Sequence, residues 1–344
     1  MTTVEVNATV PVEEWRAFVD GRPEATYAHL PGWQAVLRDT LGHRPYYIFA
    51  RNEAGKLCGI LPLFHVRSIM SGSHLVSTPF VSECGPAAES DEALKAMVDR
   101  AQALCQELRC RYMEIRVSRE LPVDLPVNQY FFTYFVPLDE PKKMWKALDH
   151  RTRNAVNKSR KDGVVVKTDG SEAAMRAFFE VNLRTKTRLG SPAHPLRFFQ
   201  AMQRELGDCF RLYSAEYQGR VVSAGVAIRY NGVVNATHQA SDHGYLEHHP
   251  NDAVSWQEME DGGRDGFRYL DFGKTPADNP GLAQYKKKWK AEEKKLYYYY
   301  YPSVPKLMGS NRQGTRYKAV TGVWKRLPLP VVRLLGPFAF RQLD

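Results

Sequence analysis

Cysteine is sparse and unpatterned in this chain: Cys58, Cys84, Cys105, Cys110 and Cys209 make an odd set with no C-x-x-C pair. Neither a disulfide framework nor a zinc site is suggested, no metal is expected, and a reducing compartment suits the composition. Long apolar runs are also missing, and none approaches the roughly 20 residues of a spanning helix. The start, MTTVEVNATVPVEEW, has no basic segment followed by an apolar one, so no secretory signal is expected and the location read from the sequence is cytoplasmic. Acidic residues are the minority charge, 38 against 48 Lys and Arg, a formal net charge of +10. Such a field attracts phosphates of nucleotides, coenzyme A, tRNA or an anionic membrane face, and solubility alone accounts for it equally well. No DNA partner is expected.

What is present is ordinary for a globular protein: 43% hydrophobic and 25% charged residues, with 18 Tyr and 16 Phe favouring sheet. At 344 residues the chain exceeds the size at which one core usually keeps growing, so two domains are expected. In the first half, Val12–Asp20 and Gly32–Leu41 read as helices. Tyr46–Arg51 and Leu57–Val66 read as a hairpin across Asn52–Gly55. His74–Phe80 reads as a strand. Asp91–Leu108 follows as a helix capped by Asp91, then strands at Tyr112–Val117 and Tyr130–Leu138. Pro137–Pro141 punctuates the chain and marks the expected boundary, giving domains at 1–139 and 140–302 and an extension at 303–344.

Beyond it, Lys142–Lys161 reads as one basic helix and Val164–Thr168 as a strand. Ser171–Leu189 and Pro195–Leu206 read as helices. Phe210–Tyr217, Val221–Tyr230 and Val233–Ala240 form a meander, with Asn231-Gly232 the strongest hairpin signal in the chain. A helix at Asn251–Gly262 is capped by Asn251 or Asp252. A strand Arg268–Phe272, a helix Pro280–Lys290 and a strand Lys295–Tyr301 close the half. Both halves share one order: helices, an antiparallel hairpin or meander, a helix and strands. This weak repeat gives an α/β (α+β) class with mixed, mostly antiparallel sheets.

The densest chemistry lies in Tyr269–Trp289, YLDFGKTPADNPGLAQYKKKW. A strand ends at Asp271, Gly273-Lys274-Thr275 turns, and a helix starting at Asn279-Pro280 carries Lys286, Lys287 and Lys288. Together these form a place to hold and neutralise an anion. Asp271 serves either as a general base or as a partner for Lys274; a carboxylate capping the Gly273 turn is the structural alternative. Lys274 and Asn279 line the same pocket or are simply loop polarity, and Tyr285 is a core or site aromatic. Arg151 and Lys158 share a helix face within a cluster including Arg153, Arg160 and Lys161, suited to a diphosphate or RNA backbone or to plain solvation. His238 lies on the third meander strand, as an acceptor-side residue or a satisfied histidine.

The order Asp-Phe-Gly, Asn-x-Gly, then aromatic-Lys-x-x-Trp resembles the C-terminal signature of the Fem-type (FemAB-like) peptidyltransferase family. Trp145 to Gly163, with its leucine, basic residues and Lys-Asp-Gly-Val ending, resembles another segment of that family. Asn182–Gly190, His194–Phe199 and the tail from Asn311 through Trp324–Pro330 to Pro337 are similar to a subgroup associated with exosortase/PEP-CTERM exopolysaccharide systems.

The resemblance implies tandem GNAT-like (acyl-CoA N-acyltransferase) domains and an acyltransferase. It would move an acyl or aminoacyl group to an amine of a phosphorylated saccharide or a peptidoglycan-type precursor. Acyl-CoA or aminoacyl-tRNA is the implied donor, and no cofactor is tightly bound. Lys286 is the implied phosphate contact and electrostatic stabiliser; Lys287 and Lys288 point elsewhere on the helix and read as solvated surface.

One departure is plain. Acetyl-CoA enzymes of this fold carry Arg/Gln-x-x-Gly-x-Gly/Ala before the helix after the meander; here the place reads His249-Pro250-Asn251-Asp252-Ala253-Val254-Ser255. That leaves a non-catalytic binder of an exopolysaccharide intermediate or assembly partner as the alternative. Trp324–Gln342 mixes apolar residues and arginine around prolines. It is expected to dock on the sheet or to touch an anionic membrane surface, such as the inner face of the cell membrane.

Overall fold

The computed structural model describes residues 2–6, 10–69, 71–305 and 315–342. The chain forms two compact units, each built on its own eight-stranded sheet.

Unit 1 begins with β1 (Thr3–Val6), α1 (Val12–Asp20), α2 (Pro31–Leu41) and the hairpin β2 (Arg44–Arg51) with β3 (Leu57–Ser68). Asn52 shapes that turn: its side-chain oxygen accepts the N–H groups of Ala54 and Lys56, and Gly55 supplies φ +73°. β4 (Gly72–Val76), β5 (Ala87–Ala88), α3 (Asp91–Glu107), β6 (Tyr112–Val117) and β7 (Val127–Asn128) follow. The cap of α3 is Ser90, whose hydroxyl accepts the Ala93 N–H at 3.2 Å; Asp91, expected there, stands in the first turn. Leu94, Met97, Val98, Ala101 and Leu104 pack from α3 onto the sheet, as their helical spacing predicts.

Unit 2 carries β8 (Phe131–Pro137), α4 (Pro141–Ala147), α5 (His150–Lys161), β9 (Val165–Thr168), α6 (Glu172–Leu189) and α7 (Leu196–Leu206). Its meander is β10 (Phe210–Tyr217), β11 (Arg220–Tyr230) and β12 (Val233–Ser241), antiparallel throughout. α8 (Pro250–Arg264), β13 (Tyr269–Asp271), β14 (Thr275–Pro276), α9 (Pro280–Lys287) and β15 (Glu292–Lys295) come next. After β16 (Tyr297–Tyr301), α10 (Thr315–Arg326) and α11 (Leu329–Phe340) end the described chain. The sheet order is β14-β8-β13-β12-β11-β10-β9, with β15 on β8.

Two expectations are corrected here. The single helix at 142–161 is two, because Leu148 is extended and Asp149 caps a new start, its carboxylate accepting the Thr152 N–H at 2.7 Å. The tail docks mainly on a helix rather than on a sheet: α11 packs against α6 with Val332, Gly336 and Phe340 buried, and the tail reaches a strand at Gln342, whose carbonyl accepts the Ser68 hydroxyl of β3 at 2.7 Å. The part of the tail pattern at Asn311–Gly314 lies outside the described residues.

The units also depart from the linear division at Pro137–Pro141. β8, expected to finish the first half, lies in the unit 2 sheet, paired antiparallel to β13 with Leu270 opposite Val136. β16, expected to finish the second half, lies in the unit 1 sheet between β6 and β7. Its tyrosines suit that place. Tyr299 joins the core under α3, while Tyr298 and Tyr300 pack with Tyr112 on the other face. Pairing follows register and two-faced packing, not nearness in sequence.

Candidate functional site

The site is built where the unit 2 sheet splits. β12 and β13 run parallel and pair only from Val233–Tyr269 to Asn235–Asp271. Beyond Asn235, β12 continues to Ser241 on β11 alone among the described residues, with a bulge opposite Val226/Ala227. The carboxyl ends of two parallel strands thus diverge, the usual place for a ligand in such sheets.

On the β13 side, Asp271 ends the strand with its side chain 7% exposed. Its carboxylate accepts the Gly273 N–H at 2.8 Å and the Thr133 hydroxyl. Gly273 turns the chain at φ +70°, a conformation that costs an L side chain about 1–2 kcal/mol. Lys286, from the second turn of α9, donates to the Gly273 carbonyl at 2.6 Å and the Lys274 carbonyl at 3.4 Å. Its ammonium also stands 5.4 Å from the centre of the Tyr134 ring. The residue is 5% exposed, so it is not the solvated helix lysine that charge patterning alone suggests.

Burial lowers the Lys286 pKa to about 8, while Asp271 pulls it back up. Burial raises Asp271; Thr133, the Gly273 N–H and Lys286 oppose that rise. An ammonium has three N–H donors, and the carbonyls take two. A buried, titratable cation with a spare donor is suited to an oxyanion or a phosphate.

Tyr285, half-buried, shares a hydrogen bond with Ser255 of α8 at 3.2 Å. Ser255 in turn accepts from Gln239 of β12 at 3.1 Å, so α8 and α9 are tied to the splayed strand. Lys288 is not solvated surface as expected. It ion-pairs with the buried Asp252 at 2.5 Å and lies over the Tyr285 ring. Lys287 does stay exposed, paired with Glu293 at 3.0 Å.

Asp252 bears on the donor. It occupies the first turn of α8, where an incoming pyrophosphate would need backbone N–H groups and a positive helix end. Its carboxylate, held by Lys288 and by His249 at 3.3 Å, already takes that electrostatic place. The cap residue is His249 at φ +50°, not Asn251 or Asp252; Asn251 instead donates to Ser241 and accepts from Ser223.

Lys286, Asp271 and the Lys274 backbone come together; Tyr285 faces Ser255 and Lys288 instead, and four other candidates lie elsewhere. The Asn279 side chain caps α9, accepting the Leu282 N–H at 3.2 Å, and is exposed. Lys158 closes a local pair with Asp162, which also meets His248 at 2.7 Å. Arg151 is exposed on α5. His238 lies on the sheet face covered by α6 and α7, its ring 4.7 Å from His194 and 5.0 Å from Phe199; burial lowers its pKa to about 3.

Sequence reasoning missed Thr133 and Tyr134 because they arrive on β8, which it assigned to the other half. It also missed Glu258, 2% exposed on the α8 face carrying Asn251 and Ser255, whose Oε1 lies 2.8 Å from where a Gly225 Cβ would stand. Burial, then Asp261, raise its pKa to about 8. The spacing Asn251, Ser255, Glu258 was the available signal.

Comparison with known proteins agrees with this architecture. Residues 147–287 match the Acetyltransferase (GNAT) domain family. The UDP-N-acetylmuramoylpentapeptide-lysine N(6)-alanyltransferase of Weissella viridescens is 30% identical over 81 residues, 23% of this chain and 24% of that protein. The shared stretch thus spans about a quarter of that relative. A crystal structure of FemX aligns with a TM-score of 0.69 at 15% identity, covering 86% of this chain and 97% of that one. L-PGS from Bacillus licheniformis aligns at 0.57 and 13%, covering 95% and 96%. A tandem GNAT protein from the clavulanic acid pathway aligns at 0.51 and 13%, covering 86% and 98%. The fold is tandem GNAT-like, and the chain shares sequence with a Fem-type transferase.

Proposed function

We propose that this protein is an acyltransferase that moves an aminoacyl or acyl group onto an amine of a cell-envelope precursor. The carrying observation is the buried ammonium of Lys286, held at the split between β12 and β13 with one donor to spare. In the reaction the amine lone pair attacks the carbonyl carbon and the C–N bond forms. The carbonyl oxygen takes negative charge beside Lys286, the carbon–leaving-group bond breaks, and the amine proton leaves with the departing group. A fixed donor at that oxygen is worth about 3 kcal/mol.

An aminoacyl ester of tRNA suits the site better than acyl-CoA, since Asp252 stands where a pyrophosphate would bind at the start of α8. A phosphorylated muramyl peptide suits the acceptor side by analogy with the Weissella viridescens enzyme, and an exopolysaccharide intermediate follows from the sequence resemblance. The test incubates the purified protein with labelled aminoacyl-tRNAs or acyl-CoAs and UDP-N-acetylmuramoyl pentapeptide or a cell-extract acceptor pool. Transfer that is lost in Lys286→Ala and kept in Lys287→Ala supports the reading. Absence of transfer with every donor overturns it in favour of a binding protein.

A further inference from the structure

α11 has two apolar faces, and only one is used. Val332, Gly336 and Phe340, at spacing i, i+4, i+8, are buried where the helix meets α6 and the residues Ala193 and His194 that follow it. Val331, Leu334, Leu335 and Phe338, at i, i+3, i+4, i+7, line the opposite side with exposures of 37, 79, 45 and 64%. Val323 of α10 adds another exposed apolar side chain at 63%. An ordinary surface helix turns charge outward; this one presents leucine and phenylalanine.

The charge of this segment is mostly of one sign. From Arg312 to Asp344 the sequence has seven Lys and Arg against one acidic residue. Arg333 reaches back to Glu180 at 2.7 Å and so anchors the helix. Lys325 and Arg326, exposed at the end of α10, make no ion pair among the described residues. A second copy of this chain would bring two such cationic surfaces face to face, which repels. A zwitterionic or anionic partner with an apolar interior does not.

We infer that α10 and α11 form a peripheral docking surface for an anionic membrane, with Val331, Leu334, Leu335 and Phe338 entering the acyl boundary and Lys325 and Arg326 meeting the headgroups. α11 has 12 residues, too short to span a bilayer, and no described helix is long and apolar enough to do so; it lies in the interface plane. Arg333 and the buried stripe hold it to α6, so the exposed stripe is ready without refolding. The inference does not depend on the acyl-transfer chemistry.

The experiment is cosedimentation of the full chain with vesicles of pure phosphatidylcholine or of phosphatidylcholine containing about one third phosphatidylglycerol. Retention is expected on the anionic vesicles, weakening as salt rises. The double variant Leu334→Ser/Phe338→Ser should lose about tenfold in bound fraction while its thermal unfolding is unchanged, because both side chains already face water. Lys325→Glu/Arg326→Glu should lose the preference for the anionic vesicles. No retention, equal retention on pure phosphatidylcholine, or retention untouched by the double variant overturns the inference. So does a concentration-dependent dimer that the double variant abolishes.

Discussion

Lys286 and Asp271 grip opposite ends of the same residue: Lys286 donates to the Gly273 carbonyl at 2.6 Å while Asp271 accepts the Gly273 N–H at 2.8 Å. The two charges therefore influence each other across one residue rather than as an ion pair. The ammonium is left buried yet steered, which keeps it responsive to pH.

Lys286→Met should separate stability from activity. The folded pKa of about 8 lies below the ordinary 10.5, so between those values the unfolded chain holds a proton that the folded chain has released. Wild-type stability should rise relative to the variant across that window, by an amount on the order of 3 kcal/mol at about 1.4 kcal/mol per unit. Transfer, in which the proposed mechanism uses the ammonium, should fall over the same range. Urea unfolding of both proteins at about pH 7 and about pH 10 checks the first, and a pH–rate profile checks the second.

Asp271→Asn keeps an acceptor for Gly273 and Thr133 but removes the charge that raises the Lys286 pKa. The alkaline limb of the transfer profile should move to lower pH. Burial raises the folded pKa of Asp271, so the wild type should lose stability relative to Asp271→Asn as pH rises through that pKa towards neutrality. An unmoved limb would show that Asp271 does not tune the lysine.

Adjacent lysines should behave differently. Lys288→Ala leaves the Asp252 carboxylate, 7% exposed, with His249 in place of its lysine, and should cost about 1–3 kcal/mol, below the figure for fully buried pairs because Lys288 keeps 27% exposure. Lys287→Ala breaks a pair with exposures of 54 and 36% and should cost under about 1 kcal/mol. Thermal melts of the two variants side by side give the comparison.

Glu258 offers a test of the core beneath the site. Its folded pKa of about 8 exceeds the ordinary 4.5, so between those values the folded state holds a proton that the unfolded state has lost. Wild-type stability should fall relative to Glu258→Gln as pH rises through that window, by an amount on the order of 4 kcal/mol. Denaturant titrations at about pH 5 and about pH 8.5 measure the difference, and a pH-independent gap between the two proteins would exclude a protonated carboxyl there.

The sequence was most legible where structure is local. Asn231-Gly232 between alternating runs specified β11 and β12, and the spacing of Leu94 to Leu104 specified α3, because each signal lies within the element it describes. It was least legible where partners come from afar. Nothing in Tyr130–Leu138 says that its strand pairs with Leu270 rather than Ile115, so Thr133 and Tyr134 could not be placed beside Lys286. Glu258 escaped for a different reason. An acid in a helix reads as solvated until the facing glycine, Gly225, is known to leave it room.

The crossing of β8 and β16 bears on synthesis at the ribosome. Unit 1 lacks its tyrosine strand, next to the β7 edge, until residue 301 has emerged, and Tyr299 belongs to its core. The amino-terminal segment must therefore wait, with the edges of β6 and β7 open, while about half the polypeptide is translated. Expressing the first 139 residues alone should yield insoluble material, and a nascent-chain chaperone has a long interval in which to hold them.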